Sequence, residues 1–316
     1  MEIVSNPQEL NQQELAKDRD LVVTIGNFDG VHLGHLKILR FIKEHAKSEQ
    51  LKLAVFTFIP HPRKLFDPNA KNFLINSYLD RRKLIENEGS HYLVEIPFTR
   101  DFSTFSPAEF LDNYILPLKR LKKIFVGFDF NFGADQKGDF DFMKNYLKDK
   151  KIEIEKIPQF DTEYGPVSSS LIREKISIGD FELANKLLNR EFFLKGIVEK
   201  GKGRGKQIGF PTANIVYDSD LIIPGPGVYV TQSKIGNMTF DSVTNVGKNP
   251  TFNNGSEINV ETHILNFDQN IYGEKLKVSF FKKLRDEVKF SSVNDLVTQI
   301  DLDIQKAITY LNYLNK

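Results

Sequence analysis

LVVTIGNFDGVHLGHLKILRFIKEHAKSE, residues 21–49, decides the fold of the first half of the chain. It opens on a run of Leu, Val and Ile that is too continuously apolar for a strand with one wet face. Such a run suits a strand buried on both faces of a parallel sheet. The stretch closes with apolar residues at Leu36, Leu39, Ile42 and Ala46, a helical spacing. Between strand and helix lies GNFDGVHLGH, residues 26–35. Further runs of the same kind follow: LAVFTFIP (53–60), HYLVEIPF (91–98), KIFVGFDF (123–130) and a weaker IEIEKIP (152–158). Strand–helix alternation of this sort predicts an α/β, doubly wound, Rossmann-like domain. Ligands of such sheets bind beyond the carboxyl ends of the strands, and residues 24–35 sit at such an end.

The second half has a different texture. GIVEK, PTANIVY, GVYVTQSKI, MTFDSVTNV, NVETHILNF and KLKVSFFKKL are short strand-like runs separated by Gly, Pro and Asn clusters. They predict an antiparallel β-barrel or sandwich. One long terminal helix follows, started by Ser292 and Asp295 in a capping-box-like pair. Its apolar stripe runs through Val293, Leu296, Val297, Ile300, Ile304, Ala307, Ile308, Leu311 and Leu314. The helical stretch SSLIREKISIGDFELANKLLNR (169–190) joins the halves, and the boundary is placed within it, giving domains 1–184 and 185–316.

Composition narrows the chemistry. With 316 residues, two domains are the natural expectation. Lys plus Arg number 43 against 42 Asp plus Glu, which argues against a broad nucleic-acid footprint. Cysteine is absent, so disulfides, thiolate zinc sites and cysteine nucleophiles are excluded. The N-terminal segment lacks the basic start and apolar run of a secretory signal. No apolar run reaches the roughly 18 residues of a membrane span. The expectation is a cytoplasmic enzyme or binding protein without a membrane or nucleic-acid partner.

In GNFDGVHLGH, His32 and His35 are three apart and share one face of the first helical turn. Gly34 removes a side chain between them and lets a ligand approach the backbone. Free N–H groups and the helix dipole favour an anion there. Two imidazoles beside them can stabilise charge developing on an α-phosphate, a design suited to adenylyl transfer. An isolated H-x-G-H reads equally well as a surface or metal-binding histidine pair. The strand before and the helix after favour the phosphate site.

GKGRGKQIGFPTAN (201–214) invites a P-loop reading that fails, because Lys206 is followed by Gln207 and the required glycine is missing. By itself the loop could be a flexible basic hairpin. Thr212 and Asn214, two apart, point to the same face of a strand. A hydroxyl beside an amide carbonyl offers hard oxygen ligands for Mg²⁺ carrying ATP phosphates. The backbone N–H groups of the loop around Gly203 and Gly205 can cover those phosphates.

The motifs together resemble a known family. G-x-F-D-G-x-H-x-G-H resembles the nucleotidyltransferase half of the prokaryotic bifunctional riboflavin kinase/FAD synthetases. PHPR (60–63), VGFDFNFG (126–133) with its following KGD, and VSSSLIR (167–173) match further pieces in order. The resemblance implies that His32 and His35 bind ATP phosphates, with Gly26, Asn27, Asp29 and Gly34 shaping the pocket. It implies that His61, Asp129 and Asn131 line it and that Ser168, Ser169 and Arg173 hold the phosphates. Ser170 stands where Thr is usual, Leu171 fills a position that is often polar, and Asn189 replaces a usual glycine; none removes a group the chemistry requires.

GFPTAN resembles the signature of the riboflavin-kinase half. PGPGVYV (224–230), SVTNVGKNPTF (242–252), VETHILNF (260–267) and YGEKLKVSFFKKLRDEVKF (272–290) follow in the order of that family. The resemblance implies Glu261 as general base toward the riboflavin 5′-hydroxyl, Thr212 and Asn214 as Mg²⁺ ligands, and Arg285 as a contact to flavin or product. His263, His45 and His91 read as structural or surface residues. Two steps are implied: riboflavin and ATP give FMN and ADP, then FMN and ATP give FAD and pyrophosphate, both with Mg²⁺. The competing readings are a chain with only the kinase active, a flavin- or nucleotide-binding regulator without turnover, and a tRNA-handling protein, since H-x-G-H also occurs in class I aminoacyl-tRNA synthetases. The sequence leaves open whether the chain forms a homo-oligomer.

Overall fold

The computed structural model describes residues 1–12, 19–67, 69–160, 162–201, 203–248 and 258–314. Part of the resembling segment SVTNVGKNPTF therefore lies outside the described residues. The chain forms two compact units, one of residues 1–70 and 76–168, the other of residues 71–75 and 169–316.

In the first unit β1 (Glu2–Val4), β2 (Leu21–Ile25), β3 (Lys52–Ile59), β4 (Tyr92–Pro97), β5 (Leu121–Val126) and β6 (Glu153–Lys156) form one sheet in the order β1-β4-β3-β2-β5-β6. Every pairing in it is parallel. All of β2 (LVVTI) is buried, Thr24 included, as suits its nearly continuous apolar run. Alternate residues pack on opposite faces: Val23, Ala54, Val94 and Ile124 on one, and Val22, Val55, Leu93 and Phe125 on the other. The second face is covered by α1 (Leu33–Ser48), which buries Leu36, Leu39, Ile42 and Ala46, the stripe expected from the sequence, and by α2 (Tyr78–Asn87). Met143 and Leu147 of α3 (Phe140–Leu147) join the core of the first face. The strand β1 is too short to announce itself in sequence. It exists because β4 offers it an edge, with Ile3 in register with Leu93.

The second unit begins with α4 (Ser169–Ile178) and α5 (Phe181–Leu188), separated at Gly179. Asn189 ends α5 in the left-handed conformation (φ 56°), the geometry that glycine adopts freely and Asn tolerates best among the others. The strands β7 (Phe192–Glu199), β8 (Ala213–Tyr217), β9 (Gly227–Ile235), β10 (Met238–Lys248), β11 (Ile258–Ile264) and β12 (Lys275–Arg285) close into a barrel in the order β10-β11-β8-β7-β12-β9. Its described pairings are antiparallel. α6 (Val293–Leu314) packs outside the barrel and buries Ala307 and Leu311 against Val228, Val230 and Val243. The stripe is narrower than the sequence suggests, because Val293, Ile308 and Leu314 are exposed.

The barrel interior is partly polar. Thr231, Ser233, Ser242, Thr244 and Thr262 are fully buried, and their hydroxyls bond to one another at 2.8–2.9 Å. Each hydroxyl thereby meets a partner, so their burial carries little desolvation penalty.

Candidate active sites

In the parallel-sheet unit, β2 ends at Ile25 and the chain turns through Gly26–Val31. Phe28 (φ 49°) and Val31 (φ 38°) take left-handed conformations in this turn and are buried, so two apolar anchors fix it from beneath. Asp29 and His32 are also buried. His32 is the N-cap of α1, and its Nδ1 accepts the N–H of His35 at 3.4 Å. A neutral imidazole that accepts at Nδ1 carries its proton on Nε2. The His32 and His35 rings stack with centroids 3.7 Å apart. A Cβ on Gly34 would lie 3.2 Å from the His32 ring and 3.6 Å from the Val167 carbonyl. That glycine therefore lets the segment entering Ser168 run against the turn.

His61 follows β3 and caps the short turn Pro62–Phe66, its Nδ1 accepting from the Arg63 N–H at 3.2 Å. Its own N–H donates to the Tyr78 hydroxyl at 2.8 Å. Asp129 and Asn131 are exposed on the turn after β5, with the Asn131 amide donating to the Asp129 carbonyl at 2.9 Å. The turns after β2, β3 and β5 thus gather at the carboxyl ends of three adjacent strands. The chain leaves β2 to build β3 on one side and β5 on the other, which makes β2/β5 the topological switch point where such sheets open a ligand crevice. Ser169 and Arg173 belong to the second unit, where Arg173 Nε donates to the Phe73 carbonyl at 2.7 Å.

In the barrel unit Asn214 of β8 is in register with Glu261 of β11. The Thr212 hydroxyl lies 3.4 Å from Glu261 Oε2. The Asn259 amide donates to Asn214 Oδ1 at 3.3 Å and to Glu261 Oε1 at 2.5 Å. The Thr–Asn pair read from the sequence therefore meets Glu261, and Asn259 ties the set together. Asn259 was missed by sequence reasoning, although the alternation Asn259-Val260-Glu261 places it on the face of Glu261.

The glycine loop closes over this group. Gly203 adopts φ 71° ahead of a helical turn, Arg204–Gln207. A Cβ on Gly205 would fall 2.3 Å from the Phe210 carbonyl, and one on Gly201 would fall 2.2 Å from Asn214 Nδ2. The His263 ring bonds to the Pro211 carbonyl at 2.8 Å and anchors the same segment, a structural task.

Beside these residues lies a cleft of about 340 Å³, lined by Phe210, Val243, Asn245, Glu261, Arg285 and Phe290 among others. Its size and apolar walls suit a planar heterocycle. Arg285 Nε donates to the buried Asp303 at 2.9 Å, and Gln299 holds the other carboxylate oxygen at 2.9 Å. The guanidinium lies 5.6 Å from the Phe290 ring centroid. A cation fixed in this way can present its remaining donors without a search through rotamers. Among the described residues no cluster of three or more His, Cys, Asp or Glu side chains could hold a metal ion. The hard oxygen donors that converge are the hydroxyl, amide and carboxylate of Thr212, Asn214 and Glu261.

Comparison with known proteins divides the chain in the same way. A family model described as FAD synthetase matches residues 14–171, and one described as riboflavin kinase matches residues 188–311. A bifunctional riboflavin kinase/FMN adenylyltransferase of Bacillus subtilis is 37% identical over 99% of this chain and 98% of its own length. The protein of the same description from Listeria monocytogenes is 34% identical over 91% of each chain. A crystal structure from Streptococcus pneumoniae, described as a macrolide-efflux protein, superposes with a TM-score of 0.84 at 33% identity, covering 96% of this chain and 97% of that one. Among the described residues of the present chain, no helix is long and apolar enough to cross a membrane.

Proposed function

The chain belongs to the family of bifunctional riboflavin kinases/FMN adenylyltransferases, and we propose that it phosphorylates riboflavin to FMN on the barrel residues around Glu261 and adenylylates FMN to FAD at the turn carrying His32 and His35. The kinase step is assigned to residues 185–316 and the adenylylation to residues 1–184. The observation that carries the reading is the meeting of Asn214 and Glu261, in register on two barrel strands, with Thr212 just ahead of β8, beside a cleft of about 340 Å³.

In the kinase step Glu261 accepts the proton of the riboflavin 5′-hydroxyl as its oxygen attacks the γ-phosphorus of ATP, and ADP leaves. Arg285, braced by Asp303, orients the flavin or the product phosphate. The N–H groups of the loop around Gly203 and Gly205 cover the phosphates of ATP. Neutral oxygens beside a carboxylate match the ligand preference of Mg²⁺. Thr212 and Asn214 would hold that ion, and it would offset phosphate charge.

In the second step a phosphate oxygen of FMN attacks the α-phosphorus of ATP and pyrophosphate leaves. No proton must be removed from the nucleophile, so the need is for positioning and for donors to the developing charge. His32 and His35 supply imidazoles at the start of α1, next to its backbone N–H groups. Gly26, Asn27, Asp29 and Gly34 are assigned to shaping that turn, and His61, Asp129 and Asn131, on neighbouring strand ends, to lining the pocket. Ser168, Ser169 and Arg173 are assigned to the nucleotide's phosphates. The near-neutral charge and cysteine-free composition fit a cytoplasmic setting in which ATP and riboflavin are the small-molecule partners.

Product analysis with riboflavin, ATP and Mg²⁺ tests the assignment. His32→Ala is expected to stop FAD formation and leave FMN formation. Glu261→Ala is expected to stop FMN formation and leave conversion of supplied FMN to FAD. Loss of both steps from either change in a folded protein would overturn the two-site assignment.

A further inference from the structure

Among the described residues of the parallel-sheet unit, Arg81 is the most deeply buried Lys or Arg, with a side chain only 3% exposed. Burial holds its basicity below the ordinary guanidinium range, and Glu95, Tyr78 and Asp29 oppose that shift. A buried charge calls for a reason, and charge balance for Glu95 does not supply it. Arg82 already grips Glu95 through Nε at 3.0 and 3.1 Å and through Nη2 at 2.5 Å. The approach of Arg81 to that carboxylate is 3.8 Å.

Its short bonds go elsewhere. Nη1 donates to the Asn27 carbonyl at 3.0 Å, and Nη2 donates to the Phe58 carbonyl at 3.3 Å. Asn27 lies in the turn that leads to His32, and Phe58 lies in the last residues of β3, just ahead of His61. The Arg81 guanidinium also lies 4.9 Å from the centre of the Tyr78 ring. The hydroxyl of that ring accepts the His61 N–H at 2.8 Å. One planar fork therefore ties the backbone of both histidine segments to α2, an arrangement suited to guanidinium and not to ammonium.

We propose that Arg81 is a positioning residue for adenylyl transfer: it sets the turn bearing His32 and His35 in register with the His61 segment. The proposal rests on reading that turn as the adenylylation site. Arg81 need not touch the substrate. It fixes carbonyls whose displacement would carry the imidazoles away from the α-phosphate, and a shift of about 1 Å in such groups can cost on the order of a hundredfold in rate.

The test uses the full chain, in which riboflavin phosphorylation serves as an internal control. Arg81→Met replaces the buried cation by an apolar chain of similar reach and removes the donor to the Asn27 and Phe58 carbonyls, so a loss of stability accompanies the change and the fold of the variant is checked first. The expected result is a fall of about a hundredfold in kcat for FMN adenylylation. The FMN KM should move far less, and riboflavin phosphorylation should not change. Arg81→Lys, keeping the charge but not the fork, should recover part of the rate. Arg82→Gln, which weakens only the grip on Glu95, should leave adenylylation close to wild type. Equal losses in Arg82→Gln and Arg81→Met would overturn the proposal in favour of Glu95 charge balance. If Arg81→Met fails to fold, Arg81→Lys decides, and a wild-type kcat in it would overturn the proposal. His32→Ala run in parallel separates the premises: retained FAD formation there refutes the site reading, whatever Arg81 does.

Discussion

In the parallel-sheet unit His32, His61, Asp129 and Asn131 sit on turns beyond the strands, whereas in the barrel Asn214, Glu261 and Arg285 sit on the strands themselves. Burial explains the difference. β2 is buried along its whole length, so no side chain on it can meet a ligand, and chemistry moves to the strand end and the start of α1. β11 alternates buried Val260 and Thr262 with half-buried Asn259 and Glu261, so one face of the strand is available. The first site accordingly offers backbone N–H groups and imidazoles, while the second offers side-chain oxygens in fixed register. A site on a turn depends on what holds the turn, and a site on a ladder depends on what crowds the ladder.

Glycine substitutions break that comparison most sharply. In the barrel, Gly201→Ala would place a methyl 2.2 Å from Asn214 Nδ2, so the Asn214 side chain must move. Riboflavin phosphorylation should fall about a hundredfold, as expected for an angstrom-scale displacement of a positioned group. FMN adenylylation should persist. Gly34→Ala is the counterpart, with a methyl 3.2 Å from the His32 ring. The softer contact predicts a smaller loss, about tenfold, confined to adenylylation. Steady-state rates of both steps on each variant decide the matter, and a loss that crosses from one step to the other would contradict separate sites.

Asn259→Ala sharpens the barrel side. It removes the amide that bonds both Asn214 and Glu261. A hydrogen bond to a charged group is worth about 1.5–3 kcal/mol, so a fall of about ten- to a hundredfold in kinase kcat is the expected outcome. A wild-type kcat in this variant would mean that Asn259 only packs.

These contrasts also explain what the sequence could reveal. GNFDGVHLGH was legible because strand, turn and helix are contiguous, and the burial of Leu36, Leu39, Ile42 and Ala46 follows directly from their spacing. Of the pair expected on one strand face, Asn214 lies on β8 and Thr212 just ahead of it, with its hydroxyl 3.4 Å from Glu261. The resemblance led to Glu261, and the pairing of β8 with β11 brings it to them across 47 residues of chain, from 214 to 261. Asn259 and Arg81 carry no local signal. Asn259 acquires its partners through cross-strand register, and Arg81 through the packing of α2 on the ends of β2 and β3. The buried hydroxyls of the barrel were hidden for a similar reason, since Thr and Ser in a strand read as solvent-facing until closure turns that face inward.

The smallest expected effect separates the two units by their response to acid. The His91 Nδ1 accepts the N–H of Leu53 at 3.1 Å, which requires an unprotonated ring nitrogen. Burial, then the positive charges of Lys52, Arg19 and the N-terminus, lower its pKa from 6.5 to about 4. The folded state therefore resists a proton that the unfolded chain accepts readily. Above pH 6.5 the residue adds no pH dependence; between pH 6.5 and about 4 the unfolded chain binds more protons and stability declines as pH falls; below about 4 the decline levels off. The ring is partly exposed, so solvent screening keeps the effect modest. His91→Gln retains an acceptor for the Leu53 N–H without a titrating group. Urea unfolding of wild type and variant at pH 7.5 and pH 5 should show a shallower loss in the variant, with adenylylation the activity it protects. Equal slopes would remove His91 as the source and leave the acid response to the carboxylates of the fold.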